Sequence, residues 1–196
     1  MKRLLTLSLL LLCFAALSAC DGTDAPATPA SPGTTVVEIE VQDYGTITLE
    51  LDGDAAPITV ENFTKLAEEG FYDGLTFHRI MSGFMIQGGD PNGNGTGGSG
   101  ETITGEFANN GVDNSLAHAR GTISMARNNI SMDSASSQFF IVHQDSNFLD
   151  GDYAAFGHVI EGMDVVDAIC EAITNVGSNG EVAPEDQPVI TAVRVL

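Results

Sequence analysis

A single arginine within an apolar run is the feature of this sequence most suggestive of chemistry. Residues 77–90 read FHRIMSGFMIQGGD, and Arg79 lies among side chains apolar enough for a protein core. Arginine is seldom buried without a partner. Gln87 follows after a bend at Ser82 and Gly83, so a returning strand would bring it beside Arg79. The segment predicts either an arginine that reaches solvent from a barrel wall or a guanidinium directed into an apolar pocket.

Patterns for covalent or metal-dependent catalysis are not recognisable elsewhere in the sequence. The four histidines, His78, His118, His143 and His158, lack the spacing typical of metal ligands. No nucleophile elbow indicates a Ser-His-Asp arrangement. We therefore expect neither a metal nor another cofactor, and we expect any catalysis to depend on positioning and electrostatics.

Two loop motifs overlap in the glycine-rich stretch that follows. Residues 93–98 match the string of a dinucleotide-binding loop, but no helix follows that could hold a pyrophosphate. Residues 90–101 match the string of a calcium loop through Asp90, Asn92, Asn94, Gly95 and Glu101. The flanks of this stretch resemble strand and loop rather than two helices, which favours a flexible connection over a calcium site.

The elements around these residues are mainly predicted strands. Alternating apolar and polar residues over 36–51 predict a hairpin with one solvated face. Pro57 opens a helical pattern that Gly70 ends, and a second helix is predicted over 163–173. Further strands are predicted over 75–80, 84–87, 122–126, 138–142, 156–160 and 189–196. Many short strands with two helices predict a mainly β fold, a closed antiparallel barrel capped by helices.

The segment FHRIMSGFMIQGGD is similar to the signature of the cyclophilin family of peptidyl-prolyl cis-trans isomerases. The resemblance continues in order through GTGG (95–98), GEF (105–107), GTISMA (121–126), SQFFI (137–141), FLDG (148–151) and FGHVIEGMDVVDAI (156–169). It covers residues 36–196 and implies an eight-stranded β-barrel capped by two α-helices. It also implies an enzyme that accelerates rotation about X-Pro bonds, with proline-containing segments of client proteins as its partners.

The resemblance assigns roles to individual residues. Arg79 matches the catalytic arginine, which would hydrogen-bond the prolyl nitrogen as the amide twists, and Gln87 matches the residue that steadies it. Residues matching the walls of the proline pocket are Phe84, Met85, Phe140 and Leu149. Residues matching positions that line or pair along the same groove are His78, Ala126, Arg127 and Gln138. A peptide-binding chaperone or docking module on the same fold, with incidental catalysis, is the alternative.

Three groove positions depart from the family pattern. Phe148 stands where many eukaryotic members carry Trp, and phenylalanine has no N–H to donate. We therefore expect weak binding of cyclosporin, the inhibitor of the family. Tyr153 stands where a pocket histidine is common and can still supply a hydrogen bond. Arg127 replaces a usual Asn, and its charge would favour acidic residues beside the target proline.

The N-terminus predicts export and anchoring. Residues 1–19 have the basic and apolar regions of a signal peptide, and Leu17-Ser18-Ala19-Cys20 resembles the bacterial lipoprotein box. Cys20 would carry the lipid, residues 20–35 would form a flexible tether rich in Pro, Thr and Ala, and residues 36–196 would form the isomerase domain. The expected location is a membrane surface facing the periplasm or the cell exterior.

The charge of the chain limits the classes of molecule that it is expected to bind. The chain has 196 residues and a formal net charge of −20, with 27 acidic and 7 basic residues. Nucleic acid binding depends on lysines and arginines that displace counterions, so a nucleic acid partner is not expected. Cys170 is the one cysteine of the predicted domain and fits a buried small hydrophobe better than a nucleophile. A monomer is expected.

Overall fold

The computed structural model describes residues 33–196; the predicted signal peptide, Cys20 and most of the predicted tether lie outside the described residues. Within the described part of the chain, no helix combines the length and apolarity needed to cross a membrane.

Eight strands form one antiparallel sheet, and two helices accompany it. The strands are β1 Thr34–Val41, β2 Gly45–Asp52, β3 Arg79–Met81, β4 Met85–Gly88, β5 Thr122–Met125, β6 Phe139–Val142, β7 Ala155–Glu161 and β8 Ile190–Val195. The helices are α1 Pro57–Glu68 and α2 Met163–Ala172. The order of the strands in the sheet is β3-β4-β6-β5-β7-β2-β1-β8. This architecture confirms the predicted mainly β fold with two helices.

The sheet curls so that its two edge strands approach each other. Residues just before β3 pair with residues at the start of β8: Gly74 N–H donates to the Ile190 carbonyl at 2.8 Å, and Ile190 N–H donates to the Leu75 carbonyl at 2.8 Å. Phe77 N–H also donates to the Pro188 carbonyl at 3.0 Å. The predicted strand 75–80 is therefore divided, because its first half joins β8 and only its end enters β3. These bonds form the seam of the barrel.

The barrel interior is filled by side chains from alternate strand positions and from one face of α1. In β1 the apolar residues Val37 and Ile39 are fully buried, as their alternation with Glu38 predicts. Phe63 of α1 lies 5.0 Å from the Tyr72 ring and 5.4 Å, edge-on, from the Phe139 ring, measured between centroids. The helix is thereby fastened to the barrel by aromatic contacts.

A distant carboxylate caps the start of α1. Ala56 precedes the helix and offers no capping side chain. Instead, buried Glu106 accepts hydrogen bonds from Ile58 N–H at 3.0 Å and from Thr59 N–H at 2.7 Å, as well as from the Thr59 hydroxyl at 2.7 Å. A negative charge at a helix N-terminus is favourable, and the bonds satisfy amides that the helix itself leaves unpaired.

Cys170 lies on the buried face of α2 with 2% of its surface exposed. Burial, with a smaller contribution from nearby Asp167, raises the pKa of its thiol to about 11. The thiol is thus protonated at neutral pH and inaccessible, which agrees with its predicted role as a small core residue.

Candidate functional site

A cleft of about 530 Å³ opens beside β3 and β4. It collects most of the residues to which the sequence assigns a role. The predicted site residues that line it are His78, Arg79, Phe84, Met85, Gln87, Ala126, Arg127, Phe140, Leu149 and Tyr153. These residues come from four separate parts of the sequence, so the barrel is what brings them together.

Strand pairing places Gln87 beside Arg79. The two residues are direct partners in the β3–β4 register, and Arg79 Nη1 donates to Gln87 Oε1 at 3.2 Å. Gln87 Nε2 in turn donates to Gln138 Oε1 at 2.9 Å, and Gln138 Nε2 donates to the Gly97 carbonyl at 2.8 Å. This chain of amides orients the acceptor that faces the guanidinium.

The guanidinium of Arg79 is partly buried at the cleft and remains charged. Burial lowers the pKa of Arg79, while the nearby Glu181 carboxylate and, less strongly, Tyr153 raise it. Arginine is not deprotonated in proteins, so a positive charge is available at the cleft throughout the neutral range.

An apolar cluster forms one wall of the cleft and is distinct from the barrel core. Its buried members are Met85, Phe140, Val142 and Leu149, and partly buried Met81, Phe84, Ala126 and Tyr153 pack against them. The Phe140 and Tyr153 rings meet edge to face, with centroids 5.9 Å apart. Because this cluster borders the cleft, it offers an apolar surface to a ligand as well as to the fold.

His78 is a buried polar residue on the cleft wall. Its exposed fraction is 4%, and neither ring nitrogen has a hydrogen-bond partner among the described residues. Burial lowers the pKa of His78 more than the Asp90 charge raises it. Both ring nitrogens are themselves buried, so His78 contributes to the wall of the cleft without offering them to a ligand in this arrangement.

Two predicted site residues lie outside this cleft. Gln138 lines an adjoining hollow of about 300 Å³, which shares Gln87 and Ala126 with the cleft. Phe148 stands at the rim with 72% of its surface exposed, and its ring centroid lies 5.5 Å from that of Phe84. An exposed ring of this kind can contact a bound ligand only from the edge of the site.

The guanidinium of Arg127 is already engaged by the protein. It lies 4.9 Å from the Tyr153 ring centroid and 5.3 Å from that of Phe107. Its Nε donates to the Asp152 carbonyl at 2.7 Å, and Nη1 donates to the Asn128 carbonyl at 3.0 Å. Its charge still borders the cleft, but the side chain is held against aromatic rings.

A turn at residues 177–181, which no sequence motif links to the cleft, also contacts Arg79. Arg79 Nε donates to the Asn179 carbonyl at 2.7 Å, and Nη2 lies 3.3 Å from Asn179 Oδ1. The Asn179-Gly180 dipeptide is typical of a turn and could have been found. Nothing in the local sequence indicates which residue that turn contacts.

Ser124, His118 and Asp150 form a hydrogen-bonded string that sequence patterns did not indicate. His118 Nδ1 lies 2.8 Å from Asp150 Oδ1, and His118 Nε2 lies 3.0 Å from Ser124 Oγ. Ser124 is fully buried, so its hydroxyl cannot reach a substrate. The His118 ring instead stacks behind Phe140, with centroids 5.9 Å apart. This string supports the cleft wall and is not a nucleophilic triad.

The loop that matches a calcium motif is folded around its first carboxylate. Asp90 accepts hydrogen bonds from the backbone N–H groups of Asn92, Asn94 and Gly95, which lower its pKa against the opposing effect of burial. No helix of the described chain flanks residues 90–101. These bonds occupy the carboxylate oxygens with the loop's own amides, so the geometry favours a structural connection.

Comparison with known proteins gives consistent matches. A family model described as cyclophilin type peptidyl-prolyl cis-trans isomerase/CLD matches residues 36–195. The chain is 45% identical over 145 residues to peptidyl-prolyl cis-trans isomerase B of Bacillus subtilis, covering 74% of this chain and 92% of that protein. It is 40% identical over 166 residues to a peptidyl-prolyl cis-trans isomerase of Acinetobacter baylyi, covering 82% of this chain and 85% of that protein.

A solved structure is similar as well. The crystal structure of a cyclophilin type peptidyl-prolyl cis-trans isomerase of Cryptosporidium parvum, in the presence of the dipeptide Ala-Pro, matches with a TM-score of 0.72 and 30% sequence identity. The match covers 82% of this chain and 98% of the other.

Proposed function

Because the chain belongs to the cyclophilin family and is a peptidyl-prolyl cis-trans isomerase, we propose that Arg79 is its catalytic residue and that it acts by electrostatics alone. The substrate's proline ring packs against the apolar cluster that includes Met85, Phe140 and Leu149. Arg79 then donates a hydrogen bond to the prolyl nitrogen as the X-Pro amide twists.

The chemistry of the amide explains why one guanidinium suffices. Resonance gives the C–N bond its barrier of about 18–20 kcal/mol, and uncatalysed X-Pro rotation takes roughly tens to hundreds of seconds. Twisting removes the resonance and leaves a lone pair on the prolyl nitrogen. A fixed N–H donor binds that lone pair better in the twisted state than in the planar one, which lowers the barrier selectively.

One observation carries this proposal: the charged end of Arg79 borders the same cleft as the apolar cluster. An apolar wall excludes water that would compete for the guanidinium and weaken its interaction with the nitrogen. No proton is transferred and no covalent intermediate forms in this scheme.

The clients are proposed to be exported proteins folding near a membrane. This part rests on the N-terminal sequence, in which residues 1–19 would be removed and Cys20 lipidated. A Cys20→Ser variant of the full chain tests it. We expect the unchanged chain in the membrane fraction with a lipid-sized mass increase, and the variant in the soluble fraction. Equal partitioning of both proteins would contradict the anchor and leave the enzymatic proposal untouched.

The catalytic proposal is tested by an Arg79→Ala variant assayed for rotation of an X-Pro peptide. Removing one preorganised donor typically costs 10²- to 10³-fold in rate, so we expect a loss of about that size. Peptide affinity, measured by calorimetry, should change by less than about threefold if binding rests on the apolar cluster. A variant that retains full rotation would contradict catalysis by Arg79.

A further inference from the structure

The turn at residues 177–181 is attached directly to the strand that carries Arg79. Ile80 N–H donates to the Gly180 carbonyl at 2.8 Å, and Val182 N–H donates to the His78 carbonyl at 3.0 Å. Arg79 and Glu181 face each other as bridge partners between these bonds. The turn therefore continues the sheet beyond β3, and its position relative to the Arg79 backbone is set by main-chain hydrogen bonds.

Gly180 makes this close attachment feasible. Its φ is +84°, which glycine tolerates and side chains rarely adopt. A Cβ at this position would also lie 2.8 Å from the Ile80 carbonyl oxygen, shorter than ordinary van der Waals contact. Only a residue without a side chain fits between the turn and β3.

The contacts to Asn179 and Gln87 occupy Arg79 from two sides. A guanidinium has five N–H groups in one plane. Nε donates to the Asn179 carbonyl at 2.7 Å, Nη2 to Asn179 Oδ1 at 3.3 Å, and Nη1 to Gln87 Oε1 at 3.2 Å. The other contacts of the Nη atoms are thioether sulfurs, Met81 Sδ at 3.1 Å and Met85 Sδ at 4.0 Å. Thioethers are weak acceptors, so a substrate nitrogen can replace them.

From this arrangement we infer that Asn179 is a positioning residue that fixes the plane of the Arg79 guanidinium before substrate binds. The inference rests on the proposed function of Arg79. A long arginine side chain loses rotamer freedom when it engages a ligand, and that loss is smaller when the protein already holds it. Gln87 alone would leave the side chain free to turn about its Nη1 contact. The two bonds that Asn179 accepts from Nε and Nη2 remove that freedom.

Three variants separate the contributions of the turn. Asn179→Ala removes the side-chain contact with Arg79 and keeps the Asn179 backbone carbonyl. Gly180→Ala displaces the turn and so disturbs that carbonyl. Ser178→Ala is the matched control, because no side-chain contact with Arg79 is found for it in the described chain. Asn179 is exposed, so its variant should fold normally, and thermal unfolding checks this.

We expect kcat/KM to fall about fivefold in Asn179→Ala, as for loss of one hydrogen bond, and by at least about tenfold in Gly180→Ala. The fall should lie in kcat rather than KM, and Ser178→Ala should match the unchanged enzyme. Hydrogen exchange of the Arg79 Nε–H, followed by ¹⁵N NMR, should accelerate most in Gly180→Ala, which displaces its acceptor carbonyl, and less in Asn179→Ala, which keeps that carbonyl and frees only Nη2. That readout reports on the guanidinium itself, and thermal unfolding of the same variants shows whether a general loss of stability contributes.

A double-mutant cycle completes the test. In an Arg79→Ala background, Asn179→Ala should have no further effect on rotation. An equal loss in both backgrounds would overturn the positioning role, as would unchanged rates and unchanged Nε–H exchange in Asn179→Ala and Gly180→Ala. These results would leave the proposed function standing if Arg79→Ala is itself inactive. Full activity of Arg79→Ala would overturn the role of Arg79 and this inference with it.

Discussion

Gln87 lies directly opposite Arg79 in the β3–β4 pair and accepts a hydrogen bond from its Nη1 at 3.2 Å. The pair is formed because a bend of a few residues reverses the chain between two short strands. The residue that carries the proposed chemistry and one that steadies it thus share a local hairpin with part of the apolar wall. The rest of that wall, including Phe140 and Leu149, and the turn that contacts the guanidinium come from later parts of the sequence.

Replacing Gln87 by Ala should reduce kcat/KM for X-Pro rotation by about tenfold, less than the loss expected for Arg79→Ala. The donor remains in Gln87→Ala, but it is less well oriented, and a misplaced catalytic group loses part of its effect. The rate of X-Pro rotation is measured with a coupled assay or by NMR exchange. Gln42→Ala, at an exposed turn between β1 and β2, is the control and should behave as the unchanged enzyme. A Gln87 variant as active as this control would contradict the steadying role.

The rate should be nearly constant between about pH 7 and pH 9. Arg79 stays charged there, and burial lowers the pKa of His78, so this cleft residue is neutral throughout. Because the proposed mechanism transfers no proton, no titration should shape the profile. A bell-shaped dependence of kcat/KM on pH would be incompatible with the proposal.

Stability should decline as pH falls below the ordinary histidine pKa of about 6.5. Burial lowers the folded-state pKa of both His78 and His118, so the unfolded chain binds more protons than the folded chain below that value. Proton uptake then favours unfolding. Asp90 and Asp150, whose folded-state pKa is also lowered, extend the decline once pH falls below their ordinary value of 3.8.

Thermal unfolding measured as a function of pH checks whether stability decreases on acidification. A His118→Gln variant should lose less stability between pH 7 and pH 5 than the unchanged protein. The control is His158→Gln, on an exposed position of β7, which should keep the original slope. Stability that rises on acidification, or equal slopes in His118→Gln and the unchanged protein, would contradict the assignment.

Glu106→Ala should destabilise the fold by about 1.5–3 kcal/mol, the range for a hydrogen-bonded charged group whose partners are left buried and unpaired. The variant deprives the start of α1 of its cap, and Thr59 is itself buried. Denaturant unfolding measures the change. Glu101→Ala, at an exposed loop position, should be close to neutral. A loss no larger than that of the control would show that water replaces the carboxylate at little cost.

Cyclosporin should bind weakly, and Phe148→Trp should tighten its binding by about threefold to tenfold, the worth of one ordinary hydrogen bond. The exposed Phe148 ring at the cleft rim has room for the larger indole, whose N–H phenylalanine lacks. Calorimetric titration of both proteins is the test. Equal affinities, or nanomolar binding by the unchanged protein, would contradict the expectation.

Local patterns in the sequence predicted the hairpin of β1 and β2, because strict alternation has one structural solution when one face is buried. They also predicted the meeting of Arg79 and Gln87, since only a short bend separates them. The predicted strand 75–80 was less accurate: its first residues pair with β8 rather than β4, and that pairing depends on closure of the barrel.

The contacts that sequence patterns could not supply join distant residues. Glu106 caps a helix 47 residues earlier in the chain, and Asn179 binds an arginine 100 residues away. Neither has a periodicity or motif that names its partner, because each contact follows from the way the whole sheet curls. The rim position of Phe148 is also a consequence of tertiary packing, which residue type alone does not indicate.

The seam of the barrel has a consequence for biosynthesis. Arg79 lies on one edge strand, and the turn that grips it belongs to the last 20 residues of the chain, which reach the other edge. A chain whose synthesis has not yet reached these residues therefore lacks both β8 and the turn, and its Arg79 has no contact from Asn179. Folding of the arginine's surroundings depends in this way on residues made after all the others of the site.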